Sequence, residues 1–243
     1  MGKNNFFNGI ISGSKEILNS LKYKNKLNTR SLDFNKPLER NMNISIKDGQ
    51  KIILGKKNKN KEIFIFLDID GVIGNWLQNV CNTFDIDLND EDLRNKLKNG
   101  EKIENYIEGG EDKMWEEIDK KGSEWWEDME LFPWSRTLRN KLKKEGKVCL
   151  LTSPPRNPEA TVGKINWIKK HFKDTNNFLI GKNKYFCASP KSILIDDSEK
   201  KINKFEEAGG NIFLWPNSLE ILDGKVKIEE LYKEVMEKIG KIQ

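Results

Sequence analysis

In 243 residues this chain carries 43 Lys or Arg against 38 Asp or Glu, a formal net charge of +5, with three cysteines and a single histidine. The odd cysteine set (Cys81, Cys149, Cys187) has no C-x-x-C pair, which argues against a disulfide framework or zinc ribbon. One histidine, His171, makes a His/Cys metal site or a Ser-His-Asp triad hard to build, so any chemistry falls to carboxylates and lysines.

No apolar run reaches the roughly 20 residues that span a bilayer, and no signal peptide is visible. The expectation is a cytoplasmic protein without a membrane partner, built as one α/β domain with an insertion or a tail. The charge is uneven along it. Residues 1–61 hold 14 basic and 4 acidic residues, a net +10 that leaves −5 for the remainder. Phe6, Phe7, Ile10, Ile11, Ile17, Leu18 and Leu21 make a patchy amphipathic pattern, and "NISIKDGQKIIL" predicts a short hairpin around Asp48-Gly49. Three readings stand for this extension: a solvated or loosely docked tail, an organelle transit peptide, or an anchor for nucleic acid or an anionic surface. The preference for lysine over arginine favours the first.

From residue 62 the text becomes regular. Short apolar runs at 63–69, 147–153, 178–181, 192–197 and 211–215 read as buried strands. Between and after them, "SRTLRNKLKKEG", "EATVGKINWIKKHF", "SEKKINKFEEAGG" and "KIEELYKEVMEKIG" read as helices. The alternation predicts a doubly wound, mostly parallel five-stranded sheet, in which ligands bind outside the carboxyl ends of the strands. The segment from Asn75 to Lys147 is too long for a simple crossover. Its charged, helical text predicts a small cap over residues 75–132, with residues 62–74 and 133–243 forming the core.

The first strand runs "IFIFLDIDGV" and closes on Asp68 and Asp70, which a period of two aims to one side of the chain. Two other strands end in Thr152-Ser153 and Asp196-Asp197, so all three polar termini should meet at one rim. A calcium loop would need an oxygen ligand where Val72 stands, and no strand would precede it. Four carboxylates at one rim would repel by about 4 kcal/mol per close pair at an effective dielectric near 20. A hard divalent cation with oxygen ligands answers that repulsion, and Mg²⁺ fits best.

"DIDGV" after an apolar strand, "LLTSPP" after the next, Lys184, and "ILIDDSEKKINKFEEAGG" together resemble the four motifs of the haloacid dehalogenase (HAD) superfamily of phosphatases. Within it, "TSP", "GKINWIKKHF" and "LIDD" look like the 5′(3′)-deoxyribonucleotidases, over roughly residues 62–215. The resemblance implies an HAD-like core and a phosphomonoester hydrolase working through an aspartyl phosphate. Asp68 would be the nucleophile and Asp70 the acid and base. The Asp68 carboxylate, the Asp70 carbonyl and Asp197 would hold Mg²⁺, with Asp196 as support or ligand. Thr152, Ser153 and Lys184 would meet the phosphoryl oxygens, and Lys164 would contact them from behind, whereas Lys182 and Lys191 read as surface lysines. Trp76 and Trp126 would lie against a nucleobase.

The expected substrate is a nucleoside monophosphate. Two alternatives stand: a phosphatase for other small phosphomonoesters or nucleic-acid 3′-phosphate ends, with nucleic acid held only through the basic extension, and a catalytically idle HAD-fold binding protein.

Overall fold

The computed structural model of this protein describes residues 43–47, 50–54, 62–153 and 157–242. Residues 1–59 and 60–243 form two compact units. In the first, strands β1 (Asn43–Lys47) and β2 (Gln50–Leu54) pair antiparallel, Asn43 opposite Leu54 and Lys47 opposite Gln50. The expected hairpin is therefore present in its strands, while its turn at Asp48-Gly49 and the amphipathic pattern at 6–21 lie outside the described residues. Among the described residues, no helix is long and apolar enough to cross a membrane.

The second unit is built on a parallel sheet of β3 (Phe64–Leu67), β4 (Lys147–Thr152), β5 (Phe178–Ile180), β6 (Ser192–Asp196) and β7 (Asn211–Leu214), in the order β5-β4-β3-β6-β7. Phe64 faces Lys147 on one side and Ser192 on the other, so β3 is central. The chain builds outward through β4 and β5, then crosses to the far side of β3 for β6 and β7. That reversal puts the topological switch point between β3 and β6, where open α/β sheets bind their ligands. Each strand is shorter than its apolar text, because Asp68, Ser153 and Asp197 leave the strands and turn into the rim.

Alternation along β3 divides the core. Ile65 and Leu67 join a cluster with Leu138 and Leu142 of helix α5 (Ser135–Glu145), Trp167 and Ile168 of α6 (Pro158–His171), and Leu231, Val235 and Ile239 of α9 (Ile228–Gly240). Phe66 faces the other way, toward Leu151, Leu194 and Phe205 of α7 (Glu199–Glu207), meeting the Phe205 ring edge-on at 6.2 Å. Covered on both faces, β6 has all five residues buried and reads as one apolar run. Start signals are local: the Asn157 side chain accepts from Glu159 N at 3.0 Å and Pro158 takes the first turn of α6.

The insertion supplies α1 (Trp76–Thr83), α2 (Glu91–Lys98), α3 (Gly110–Lys120) and α4 (Gly122–Glu127), around a second cluster that includes Val80, Cys81, Leu93, Leu97, Met114, Ile118, Trp125 and Trp126. Asp90 caps α2, its carboxylate accepting from Asp92 N at 2.8 Å and Leu93 N at 3.1 Å. The two chain passages joining cap and core are tied together. Gly74 bridges Leu131 antiparallel, Asn75 N donates to Glu130 O at 2.8 Å, and Phe132 N donates to Ile73 O at 3.1 Å.

The cap docks at two further places. On one side α4 presses on Gly163 of α6, where a Cβ would fall 2.2 Å from Ser123 O and 2.8 Å from the Trp126 Cβ. On the other, Asp223, at the end of the short helix α8 (Ser218–Leu222), accepts from Arg94 and, at 2.6 Å, from Lys98 of α2.

Candidate active site

The site begins where β3 runs out. Asp68 N still bonds to Ile195 O of the neighbouring strand at 2.9 Å; beyond it the chain folds into a tight loop in which Ile73 N and Gly74 N return to Ile69 O. Gly71 turns that loop at φ +78°, and a Cβ there would lie 1.9 Å from Asp197 Oδ2. Both the backbone conformation and the approach of Asp197 therefore demand glycine. Asp68 meets its partners on the β6 side of β3, whereas the Asp70 side chain pairs with Lys164 at the end of β4.

Asp68 is 1% exposed. Its Oδ1 accepts from Ile69 N at 2.8 Å and meets Lys184 Nζ at 2.6 Å, while its Oδ2 faces Lys201 Nζ at 3.3 Å. Burial works against the Asp68 charge, but Lys184 first and Lys201 next outweigh it, holding the carboxyl below the usual carboxylate range. Lys184, itself 3% exposed, also reaches Asp196 Oδ2 at 2.6 Å; Asp196 Oδ1 accepts from Ser198 N at 3.0 Å and lies 3.5 Å from Lys201 Nζ. Burial and the charge of Asp68 push Asp196 upward. Asp197 keeps a solvent-facing edge, yet atoms crowd it closely enough that desolvation, with Asp68 and Asp196 behind it, pushes its carboxyl up to about 7.

One carboxylate oxygen each from Asp68, Asp196 and Asp197 lies within 4.8 Å of the other two. The donors are all hard oxygens, with no sulfur or imidazole among them. That set fits Mg²⁺ in chemistry and in charge.

The third strand end completes the rim. Lys164, 2% exposed on α6, pairs with Asp70 Oδ2, donates to Thr152 Oγ1 at 2.9 Å and to Ser153 O at 3.1 Å, and lies 4.8 Å above the Trp126 ring. It is thus more central than a contact from behind: it ties the acid of the first strand to the hydroxyl of the second. Asp70 Oδ1 is buried without a hydrogen-bond partner.

A cleft of about 400 Å³ opens from these carboxylates toward the cap. Asp70, Asp197 and Lys201 line its floor, Trp76 and Phe132 its walls, and Glu101 and Lys102 its mouth. Trp76 stands in it half-buried, 6.2 Å from Trp115. Trp126 does not reach the cleft. At 2% exposure it is sealed in the cap core beneath Lys164, packed edge-on to Trp125 at 4.8 Å. Lys182 and Lys191 are exposed, as expected.

Sequence reading misses Lys201 and Phe132. A signal existed for the lysine: it stands four positions after Asp197, so a helix opening at the end of β6 brings it back over the same rim.

The family model for 5′ nucleotidase, deoxy (pyrimidine), cytosolic type C protein (NT5C) matches residues 61–235. No curated protein matches the chain. Solved structures of similar fold include an HAD family hydrolase from Deinococcus radiodurans R1 with bound phosphate and sodium, at 11% identity and TM-score 0.43 over 63% of this chain and 80% of that one. A predicted phosphatase from Clostridium acetobutylicum aligns at 17% identity and TM-score 0.45 over 72% and 99%. An HAD family enzyme from Bacteroides thetaiotaomicron, in complex with magnesium and inorganic phosphate, aligns at 16% and 0.38 over 65% and 96%.

Proposed function

We propose that this chain, which belongs to the 5′ nucleotidase, deoxy (pyrimidine), cytosolic type C family and is a phosphatase, removes phosphate from nucleoside monophosphates through an aspartyl-phosphate intermediate. The observation that carries the reading is the division of labour between two neighbouring carboxylates. Asp68 is buried and held ionised by Lys184, as a nucleophile must be; Asp70, which lines the cleft, has one oxygen anchored on Lys164 and the other buried without a partner.

In this mechanism an Asp68 oxygen attacks phosphorus and the ester oxygen leaves with a proton from Asp70. Asp70 then takes a proton from the water that cleaves the acyl phosphate, so the enzyme returns to its starting state. Thr152, Ser153 and Lys184 meet the charge that builds on the phosphoryl oxygens. Lys164 fixes the Asp70 carboxyl against the second strand and holds it in place for the two proton transfers. Asp68, Asp196 and Asp197, with the Asp70 carbonyl, would hold Mg²⁺, which when bound supplies positive charge to the nucleophile and the phosphoryl group.

The cleft supports the substrate class. Trp76 and Phe132 offer aromatic faces about the leaving group, where base stacking is worth about 1–3 kcal/mol. The free thiols of Cys81, Cys149 and Cys187 suit a reducing compartment, and we assign the activity to the cytoplasm.

A phosphate-release screen over deoxy- and ribonucleoside monophosphates, sugar phosphates and 3′-phosphorylated oligonucleotides tests the proposal. The expected outcome is the highest kcat/KM on a nucleoside monophosphate. A clear preference for sugar phosphates or oligonucleotide ends would replace the nucleotidase reading while leaving the phosphatase in place.

A further inference from the structure

We infer that Lys201 is a built-in counter-ion of the carboxylate cluster, which a divalent cation must displace in order to bind. The inference rests on the metal-dependent reading above and deepens it.

The geometry divides the oxygens of the two central carboxylates between two lysines. Lys184 takes Oδ1 of Asp68 and Oδ2 of Asp196, at 2.6 Å each. Lys201 faces the remaining pair, Asp68 Oδ2 at 3.3 Å and Asp196 Oδ1 at 3.5 Å. Lys184 leaves those two oxygens open toward a metal, Asp196 Oδ1 accepting only from Ser198 N besides. Mg²⁺ binds oxygen at about 2.0–2.1 Å, so an ammonium group and the ion cannot serve the same two oxygens at contact distance without severe like-charge repulsion.

The two lysines also differ in freedom. Lys184 is sealed in the protein and has nowhere to go, whereas the Lys201 side chain is 33% exposed and lines the cleft. Lys201 therefore has an exit, and that exit leads along the wall of the cleft that a phosphate ester would enter.

Charge balance favours the exchange. Asp68, Asp70, Asp196 and Asp197 face Lys164, Lys184 and Lys201, which leaves one negative charge uncompensated. Replacing the single charge of Lys201 with a double one brings the cluster to neutrality. The same lysine that steadies the carboxylates therefore weakens their apparent metal affinity, and once displaced it stands ready for an anionic substrate.

The test is calorimetric titration with MgCl₂, paired with thermal melts in the presence and absence of Mg²⁺, on the full chain and on Lys201→Met, Lys201→Arg and Asp197→Asn. Lys201→Met should bind Mg²⁺ roughly two- to fivefold more tightly, the scale of one lost competing ion pair. It should melt lower than the parent without metal and gain more from added Mg²⁺. Lys201→Arg, which keeps the charge, should stay near the parent, and Lys201→Gln takes the place of Lys201→Met if the methionine variant does not fold. An unchanged or weaker Mg²⁺ affinity on loss of the charge overturns the inference. Mg²⁺ binding by the parent that Asp197→Asn abolishes, but that removal of Lys201 does not tighten, sinks the counter-ion role alone. A parent that binds no Mg²⁺ sinks the metal reading with it.

Discussion

In the proposed mechanism Asp68 does two jobs at one position, as attacking group and as the centre of an ion-pair network with Lys184 and Lys201. Asp68→Asn keeps the side-chain size and removes the charge, so turnover should fall by about 10³-fold or more while the circular dichroism spectrum is retained; residual activity near the parent level would exclude the nucleophile assignment. Trp76 tests substrate instead of chemistry. Trp76→Ala should lower kcat/KM on a nucleoside monophosphate by roughly 5- to 150-fold, the equivalent of about 1–3 kcal/mol, and affect p-nitrophenyl phosphate much less. Equal losses would mean that the ring props the cap and does not hold a base. Cys81 gives a pH test. Burial pushes its thiol up to about 11 from an ordinary 9.0, so above pH 9 the unfolded thiol gives up its proton while the folded one keeps it. That share of stability is present below about pH 9 and lost as the pH rises toward 11, and a denaturant series should show a shallower decline over that window for Cys81→Ala than for the parent.

Elements were legible in the sequence to the extent that local chemistry defines them. Short apolar runs mark the five strands, wholly buried in β6 and only partly in the edge strands β5 and β7, and the polar residues ending three of them mark the rim, since neither feature depends on distant partners. What the text could not carry was tertiary. Lys201 acquires its role only because α7 opens toward β3, and Phe132 only because the return passage from the cap crosses the cleft. Trp126 went the other way: an aromatic in a cap reads as a base platform, but the close approach of α4 to Gly163 seals it. That approach is itself testable. Gly163→Ala places a methyl against the Ser123 carbonyl, and overpacking of this kind costs about 1–3 kcal/mol. A fall of several degrees in melting temperature, with a shift in tryptophan emission, is expected; an unchanged melt would show that α4 yields without cost.

The molecule as a whole keeps its chemistry in residues 60–243, one compact unit that holds every motif of the site. A chain truncated to begin at Lys61 should therefore hydrolyse small phosphomonoesters with the kcat of the full chain. Insoluble or inactive product would show instead that the first unit supports the second. The basic extension is then free to serve another purpose, and a salt-sensitive affinity for nucleic acid that vanishes on truncation would assign one.

The paired passages at Gly74 and Leu131 make the cap a cassette. The segment leaves the core and re-enters it at bridged neighbours, so to the sheet the whole insertion is a single loop with closed ends. Lengthening such a loop adds little closure entropy, about 0.6 kcal/mol per doubling. A different lid spliced between those two residues would therefore cost the sheet little in chain closure. What such an exchange would have to respect is the insertion's grip elsewhere: α4 on Gly163, Arg94 and Lys98 on Asp223, and the Trp126 ring beneath Lys164.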